Sequence, residues 1–227
     1  MNETKYGMGH NIRQAFLVTV ALLVLCGLVF PVLLSGLSAL IFPSQAQGTL
    51  VMADGVAVGA KNVGQEFTED YFMWSRPSAY HYNTYYEEDT DGDGQVEQYY
   101  NDGSAFAGLS SGSNNYAPSN PALAERVEAD IAAFLEKNPG VSREDIPTDL
   151  MTASGSGLDP HISPASAAVQ IPALAENTGL SEERLEEIVE ANTTHKVLGI
   201  FGEEAVNVLG VNLAIAQELG LIGEVSK

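Results

Sequence analysis

From Gln14 to Phe42 the chain carries no charged residue, and Leu, Val, Ala, Phe and Ile dominate the run. About 20 apolar residues, each rising about 1.5 Å, already span a hydrocarbon core of about 30 Å. The run therefore predicts one complete transmembrane helix with residues to spare for tilt. Ser44-Gln45-Ala46 resembles a small-x-small cleavage site, but the apolar region of a cleaved signal peptide is only about 7 to 15 residues long. The helix is read as a retained anchor. Cys26, the only cysteine, lies inside the run, so the rest of the chain has no disulfide framework. Leu23-Val24-Leu25 before it lacks the small residue that processing of a lipidated cysteine requires. Pro31 removes a backbone donor and predicts a kink, while Gly27, Ser35, Gly36 and Ser38 would let partner helices approach closely.

Lys5 and Arg13 precede the run, and the next positive charge after it is Lys61. By the positive-inside rule the N-terminus is cytoplasmic. The expected organisation is a cytoplasmic tail over residues 1–13, a transmembrane helix over 14–42 and an extracytoplasmic domain over 43–227. The formal net charge is −20, from 10 Lys+Arg against 30 Asp+Glu. Such a surface repels nucleic-acid phosphates and anionic lipid headgroups, which excludes a nucleic-acid partner.

Past the anchor the pattern is α+β. Pro43 to Gly48 reads as an exit linker, and Thr49 to Phe67 as a small sheet with a tight turn at Asp54-Gly55. After Arg76-Pro77-Ser78 and up to Pro118 the chain is rich in Tyr, Asp, Gly and Ser with little periodicity, which predicts a long surface excursion. Asn120-Pro121 opens a helix whose Leu123, Val127, Ile131, Phe134 and Leu135 face a core, and Asn138-Pro139-Gly140 ends it. Ser163-Pro164 opens an Ala-rich helix interrupted by Pro172, and Ser181 opens a third helix that buries Leu185, Ile188 and Val189. Residues 196 to 219 predict a short strand and then a last amphipathic helix through Val211, Leu213 and Ile215.

No catalytic centre is visible. Asp89, Asp91, Asp93 and Glu97 alternate around Gly92 and Gly94 as the oxygens of a calcium loop do, although Tyr100 stands where an EF-hand places its bidentate Glu. Thr152 to Gly157 is a small-residue turn without the lysine of G-x-x-x-x-G-K-S/T, so it is no phosphate loop of that kind. Ser156, Asp159 and His161 supply the residue types of a hydrolytic triad, but G-x-S-x-G is not met. His10, His81 and His195 have no partners at zinc-ligand spacing. On these residues alone, a stand-alone anchored exterior module that binds calcium or a small ligand remains open.

Three ordered blocks carry a resemblance. Tyr71-Phe72-x-x-Ser75-Arg76-Pro77-Ser78-Ala79 comes first, and Ser111-Gly112-Ser113-Asn114-Asn115 with Pro118-Ser119-Asn120-Pro121 extends it. Asp149 to Pro164 (DLMTASGSGLDPHISP), followed by Gln170-Ile171-Pro172, is the most distinctive. Val206-Asn207-Val208-Leu209 with Asn212-Leu213-Ala214 completes the order. Together they resemble the C subunit of the bacterial Kdp potassium-transporting ATPase, with residues from about 80 to 105 looking like an insertion. The resemblance implies a noncatalytic accessory subunit. Its implied partners are a P-type ATPase subunit, a channel-like potassium-binding subunit, a small helical subunit and the lipid bilayer.

The resemblance further implies a catalytic-chaperone role that raises the pump subunit's affinity for ATP. Ser154, Gly155 and Gln170 are likened to a nucleotide-contacting signature, and Arg76, Asp159 and His161 are expected partner contacts. No cofactor of the chain's own is expected; ATP belongs to the complex. The charge-derived topology puts that block outside the cytoplasm, where free ATP is scarce, and so favours a domain that caps the ion entrance instead. Placing Arg at Leu23, mid-span, is expected to cost about 2.5 to 3.5 kcal/mol of insertion. The yield of Leu23→Arg in the membrane fraction, compared with the parent chain, measures this.

Overall fold

The computed structural model describes residues 7–90 and 94–226. The chain forms two compact units that meet in sequence between Thr49 and Leu50. The first is a helix running from Met8 to Ile41, 34 residues, or about 50 Å at the ordinary rise. It starts upstream of the uncharged run, because His10, Asn11 and Arg13 fit a helix as well as the apolar residues do. Its parts are α1 (Met8–Val24), a π-helical turn over Leu25–Val29, and α2 (Phe30–Ile41).

The break expected at Pro31 takes the form of that wide turn, in which the Phe30 N–H donates to the Leu25 carbonyl. A proline ring crowds the carbonyl four residues back, here that of Gly27, and an added residue in the preceding turn makes room for it. The exit linker contains one further short helical turn, α3 (Pro43–Ala46), started by Pro43 at a position where no amide hydrogen is needed.

In the second unit β1 (Leu50–Ala53) and β2 (Val56–Ala60) form a hairpin, and β8 (Val225–Ser226) adds to the other side of β1. Asp54 and Gly55 both have positive φ, as the two-residue turn requires. The stretch expected to be an irregular excursion holds a second hairpin, β3 (Tyr85–Glu88) with β4 (Glu97–Tyr100). Tyr85 faces Tyr100 and Tyr86 faces Tyr99 across the ladder, and Tyr85 stacks on Phe106 with ring centroids 4.6 Å apart. Tyrosine favours strands, and cross-strand aromatic pairs stabilise them, which outweighs the turn-rich composition around them.

The main core lies under a three-stranded antiparallel sheet ordered β5 (His161–Ile162), β7 (Ala205–Asn207), β6 (Thr193–Thr194). Helix α4 (Pro121–Lys137) is capped by the Asn120 side chain and buries Ile131 and Phe134. Pro172 does not interrupt a helix. It lies in the first turn of α6 (Ile171–Thr178), which follows the separate short helix α5 (Pro164–Ala168). Ser181 caps α7 (Glu182–Ala191), which buries Leu185 and Ile188, while Val189 is half-buried against the same cluster. Asn207 caps α8 (Val208–Glu218), whose Val211 and Ile215 are fully enclosed.

Through this core runs the segment Met73-Trp74, which pairs with no strand among the described residues. Two buried carboxamides take that place. Asn212 of α8 accepts the Met73 N–H at 2.7 Å and donates to the Met73 carbonyl at 2.9 Å. Gln170 accepts the Trp74 N–H at 2.8 Å and donates to the Trp74 carbonyl at 3.2 Å and the Ser166 carbonyl at 2.9 Å. Asn212→Ala strips both polar groups of Met73 of their partners, in a residue with no exposure. A buried polar group left unpaired costs about 1 to 3 kcal/mol, so for the two groups a loss of about 2 to 6 kcal/mol is expected. Urea unfolding of the full chain in detergent, followed by the single tryptophan, Trp74, reads it as a lower midpoint.

Candidate functional site

The stretch from Asp149 to Pro164 folds into a polar lattice against residues 76–82. Asp149 accepts the Ser163 N–H at 2.7 Å, the Ser163 hydroxyl at 3.1 Å and the Ser166 hydroxyl at 2.6 Å. Burial alone would raise the Asp149 pKa, but these hydrogen bonds outweigh it and hold the carboxyl below its ordinary range. Ser154 is buried, and its hydroxyl accepts the Gly157 N–H at 2.8 Å. Gly157 has a positive φ, and a Cβ there would lie 2.7 Å from the Gly112 carbonyl oxygen, so both backbone conformation and space call for glycine.

Arg76, Asp159 and His161 come together. The Arg76 guanidinium pairs with Asp159 at 2.9 Å and donates to the Thr152 carbonyl, and the other Asp159 oxygen accepts the His161 N–H at 3.0 Å. Ser156 does not join His161 in a triad: its hydroxyl meets Ser154 and accepts the Leu158 N–H. His81, Tyr82 and Asn83 hold three consecutive positive φ angles, a costly conformation for residues other than glycine. Ser78 sustains it by accepting the Tyr80 and Tyr82 N–H groups while donating to the Gly157 carbonyl at 2.7 Å. The Tyr82 hydroxyl donates to the Arg76 carbonyl, and burial raises its pKa.

This lattice forms one wall of a cleft of about 750 Å³, lined among others by Trp74, Arg76, Arg126, Asp130, Phe134 and Thr152. Arg126 pairs with Asp130 one turn along α4 and donates to the Met151 carbonyl. Burial dominates at Asp130 and raises its pKa in spite of that arginine. Both arginines are thus already balanced by aspartates, and the rest of the lining is largely apolar. Arg126 and Asp130 escaped the sequence reading, although their spacing of four on a helix is a detectable signal.

The polar groups of Ser154 and Gln170, likened to a nucleotide-contacting signature, have partners within the chain itself. Gly155 has open space at its Cα, but the Ser154 hydroxyl is turned inward, and both amide hydrogens of Gln170, 1% exposed, are engaged by carbonyls of the chain itself. Two cations neutralised by Asp130 and Asp159 leave little charge to offset a triphosphate. In the Asp-rich loop, Asp91 and Asp93 lie outside the described residues. The Asp89 carboxylate accepts the Gly94 N–H at 3.0 Å, and Glu97 accepts from the Thr90 N–H and hydroxyl, both at 3.3 Å. Among the described residues no group of three or more His, Cys, Asp or Glu is arranged to hold a metal ion.

A carboxyl with a depressed folded pKa contributes stability that is present above its unfolded value, about 3.9, and is lost as the pH falls through the folded value. Asp149→Asn is therefore expected to lower stability at pH 7 by about 1 kcal/mol or more. The difference between parent and variant should shrink below about pH 4. Melting temperatures taken from pH 7 to pH 3 check both statements.

The family profile described as "KdpC: K+-transporting ATPase, c chain" matches residues 12–217. The "Potassium-transporting ATPase KdpC subunit" of Clostridium kluyveri is 56% identical over 214 residues, which cover 94% of this chain and 97% of the relative. The protein of the same name from Clostridioides difficile is 50% identical, covering 93% and 99% of the two chains. That from Caldanaerobacter subterraneus is 41% identical, covering 93% and 97%. The match takes in the apolar helix, the lattice from Asp149 to Pro164 and both carboxamides of the core, and the chain belongs to the KdpC family, the C chain of K+-transporting ATPases.

Proposed function

We propose that this chain is a noncatalytic, single-pass accessory subunit of an ATP-driven potassium uptake complex, and that its C-terminal domain lies outside the cytoplasm and assembles or stabilises that complex. The observation that carries this reading is the family match from residue 12 to residue 217, through anchor and domain alike. The relatives' name ties the family to potassium transport. The proposed partners are a P-type ATPase subunit, a channel-like potassium-binding subunit, a small helical subunit and the bilayer.

The chaperone role, a raised ATP affinity of the pump subunit, is proposed to act through assembly and not through nucleotide contact. Gln170 and Ser154 support this, since their polar atoms are engaged within the fold. Lys5 and Arg13 support the same conclusion from topology, because they hold the N-terminus inside and leave the domain where ATP is scarce. In a chain of net charge −20 whose acidic residues, Glu3 apart, all lie past the apolar run, such a domain seated over an ion entrance raises the local cation concentration, an effect screened beyond about 8 Å at physiological salt.

The test is an affinity pull-down of the C-terminally tagged full chain from detergent-solubilised membranes of potassium-starved cells, with partners identified by mass. Recovery of a P-type ATPase together with a channel-like potassium subunit is expected. A chain that runs alone would instead mark an independent exterior module.

A further inference from the structure

Between β6 and β7 the chain projects a hairpin tip, Val197 to Phe201, whose four large side chains are all apolar and all bare. Leu198 is 84% exposed, Ile200 76%, Val197 66% and Phe201 64%. Single exposed apolar residues are ordinary, but four within five positions at one protruding turn form a patch. The tip is built, not frayed: Val197 and Phe201 exchange backbone hydrogen bonds at 2.8 and 3.0 Å, and the Ile200 N–H closes the turn on the Val197 carbonyl at 3.2 Å.

The turn's two central residues, Leu198 and Gly199, have φ of 56° and 71°. A two-residue turn with both φ values positive strongly favours Asn, Asp or Gly at its first central position. Leucine there accepts backbone strain, and its side chain gains no burial within the domain in return. A strained residue that points its apolar side chain into solvent indicates that the enclosing surface belongs to another molecule.

The charges at the base of the tip narrow what that molecule is. Glu190 of α7 and Glu204 hold His195 between them at 3.1 and 3.2 Å, and Glu203 is exposed beside them. Three carboxylates against Lys196 and His195 leave the rim acidic. An acidic rim repels an anionic bilayer, and it repels a second copy of a chain whose own net charge is −20. It suits a protein surface with an apolar pocket bordered by Lys or Arg.

We infer that the Val197–Phe201 tip is a docking plug, which inserts Leu198, Ile200 and their neighbours into an apolar, cation-rimmed pocket on a neighbouring subunit of the potassium-transporting complex. The inference rests on the accessory-subunit reading above and adds the surface through which it operates. A few central apolar anchors surrounded by a polar rim match the way binding energy concentrates in protein interfaces.

Two variants of the full chain test it in the pull-down, Leu198→Asn and the double substitution Ile200→Ser with Phe201→Ser. Each is expected to lower recovery of the identified pump and channel subunits by about tenfold or more, the size expected for loss of a central anchor. The melting temperature of the chain alone is expected to hold, and for Leu198→Asn to rise, because asparagine tolerates the left-handed conformation. Undiminished recovery with either variant overturns the plug. If the parent chain itself recovers no pump subunit, the accessory reading fails first and the plug with it.

A second measurement places an environment-sensitive fluorophore at Leu198→Cys in a chain that also carries Cys26→Ala, reconstituted in phosphatidylcholine nanodiscs. The plug predicts water-like emission for the chain alone and a blue shift only when the other subunits are present. A blue shift in nanodiscs alone identifies lipid as the occupant, and one that appears on concentrating the chain in detergent identifies a second copy; either result overturns the inference.

Discussion

Two buried carboxamides, Gln170 and Asn212, hold the extended segment Met73-Trp74 by both its N–H and its carbonyl groups. A buried backbone needs partners for both groups, and among the described residues no strand pairs with this one to supply them. The side chains come from α8 and from the residue before α6, so one short segment is tied to two helical elements distant from it in sequence. Arg76 begins two residues later, and its pairing with Asp159 and with the Thr152 carbonyl depends on where Trp74 is pinned. The Ser78 turn and the three left-handed residues His81, Tyr82 and Asn83 follow directly in the chain.

That dependence changes the meaning of the most distinctive stretch of the chain. From Asp149 to Pro164, small and polar residues stand close together because they make the lattice against residues 76–82. Gly157 fits where a Cβ would strike the Gly112 carbonyl, Asp149 gathers three donors, and Ser154 closes its own turn. Ion pairs that are already satisfied within the chain give shape more than reactivity.

Much of this was legible in the residues. The apolar run declared its helix, and Asn120-Pro121, Ser163-Pro164 and Ser181 each marked a helix start, because capping is local chemistry that a few residues determine. Pro172 misled because a proline inside an Ala-rich stretch breaks a helix or begins one equally well, and only the packing of Ile171 and Leu174 decides between them. The Tyr85–Tyr100 hairpin was hidden because its stability comes from rings that face each other across strands, a pairing without local signature. Gln170 was singled out through a resemblance, and nothing in its neighbours reveals that its amide faces Trp74, 96 residues away in the chain. The tip at Val197–Phe201 looked like an ordinary strand, since periodicity cannot tell a buried apolar residue from a bare one.

The most direct measurement is equilibrium dialysis of labelled ATP against the purified full-length chain in detergent, without the other subunits. If Ser154 and Gln170 serve only to build the fold, the chain takes up no ATP in a saturable way at millimolar nucleotide. Saturable, stoichiometric binding that disappears in Ser154→Ala, in a chain whose melting temperature is unchanged, would contradict this and return the block to the nucleotide.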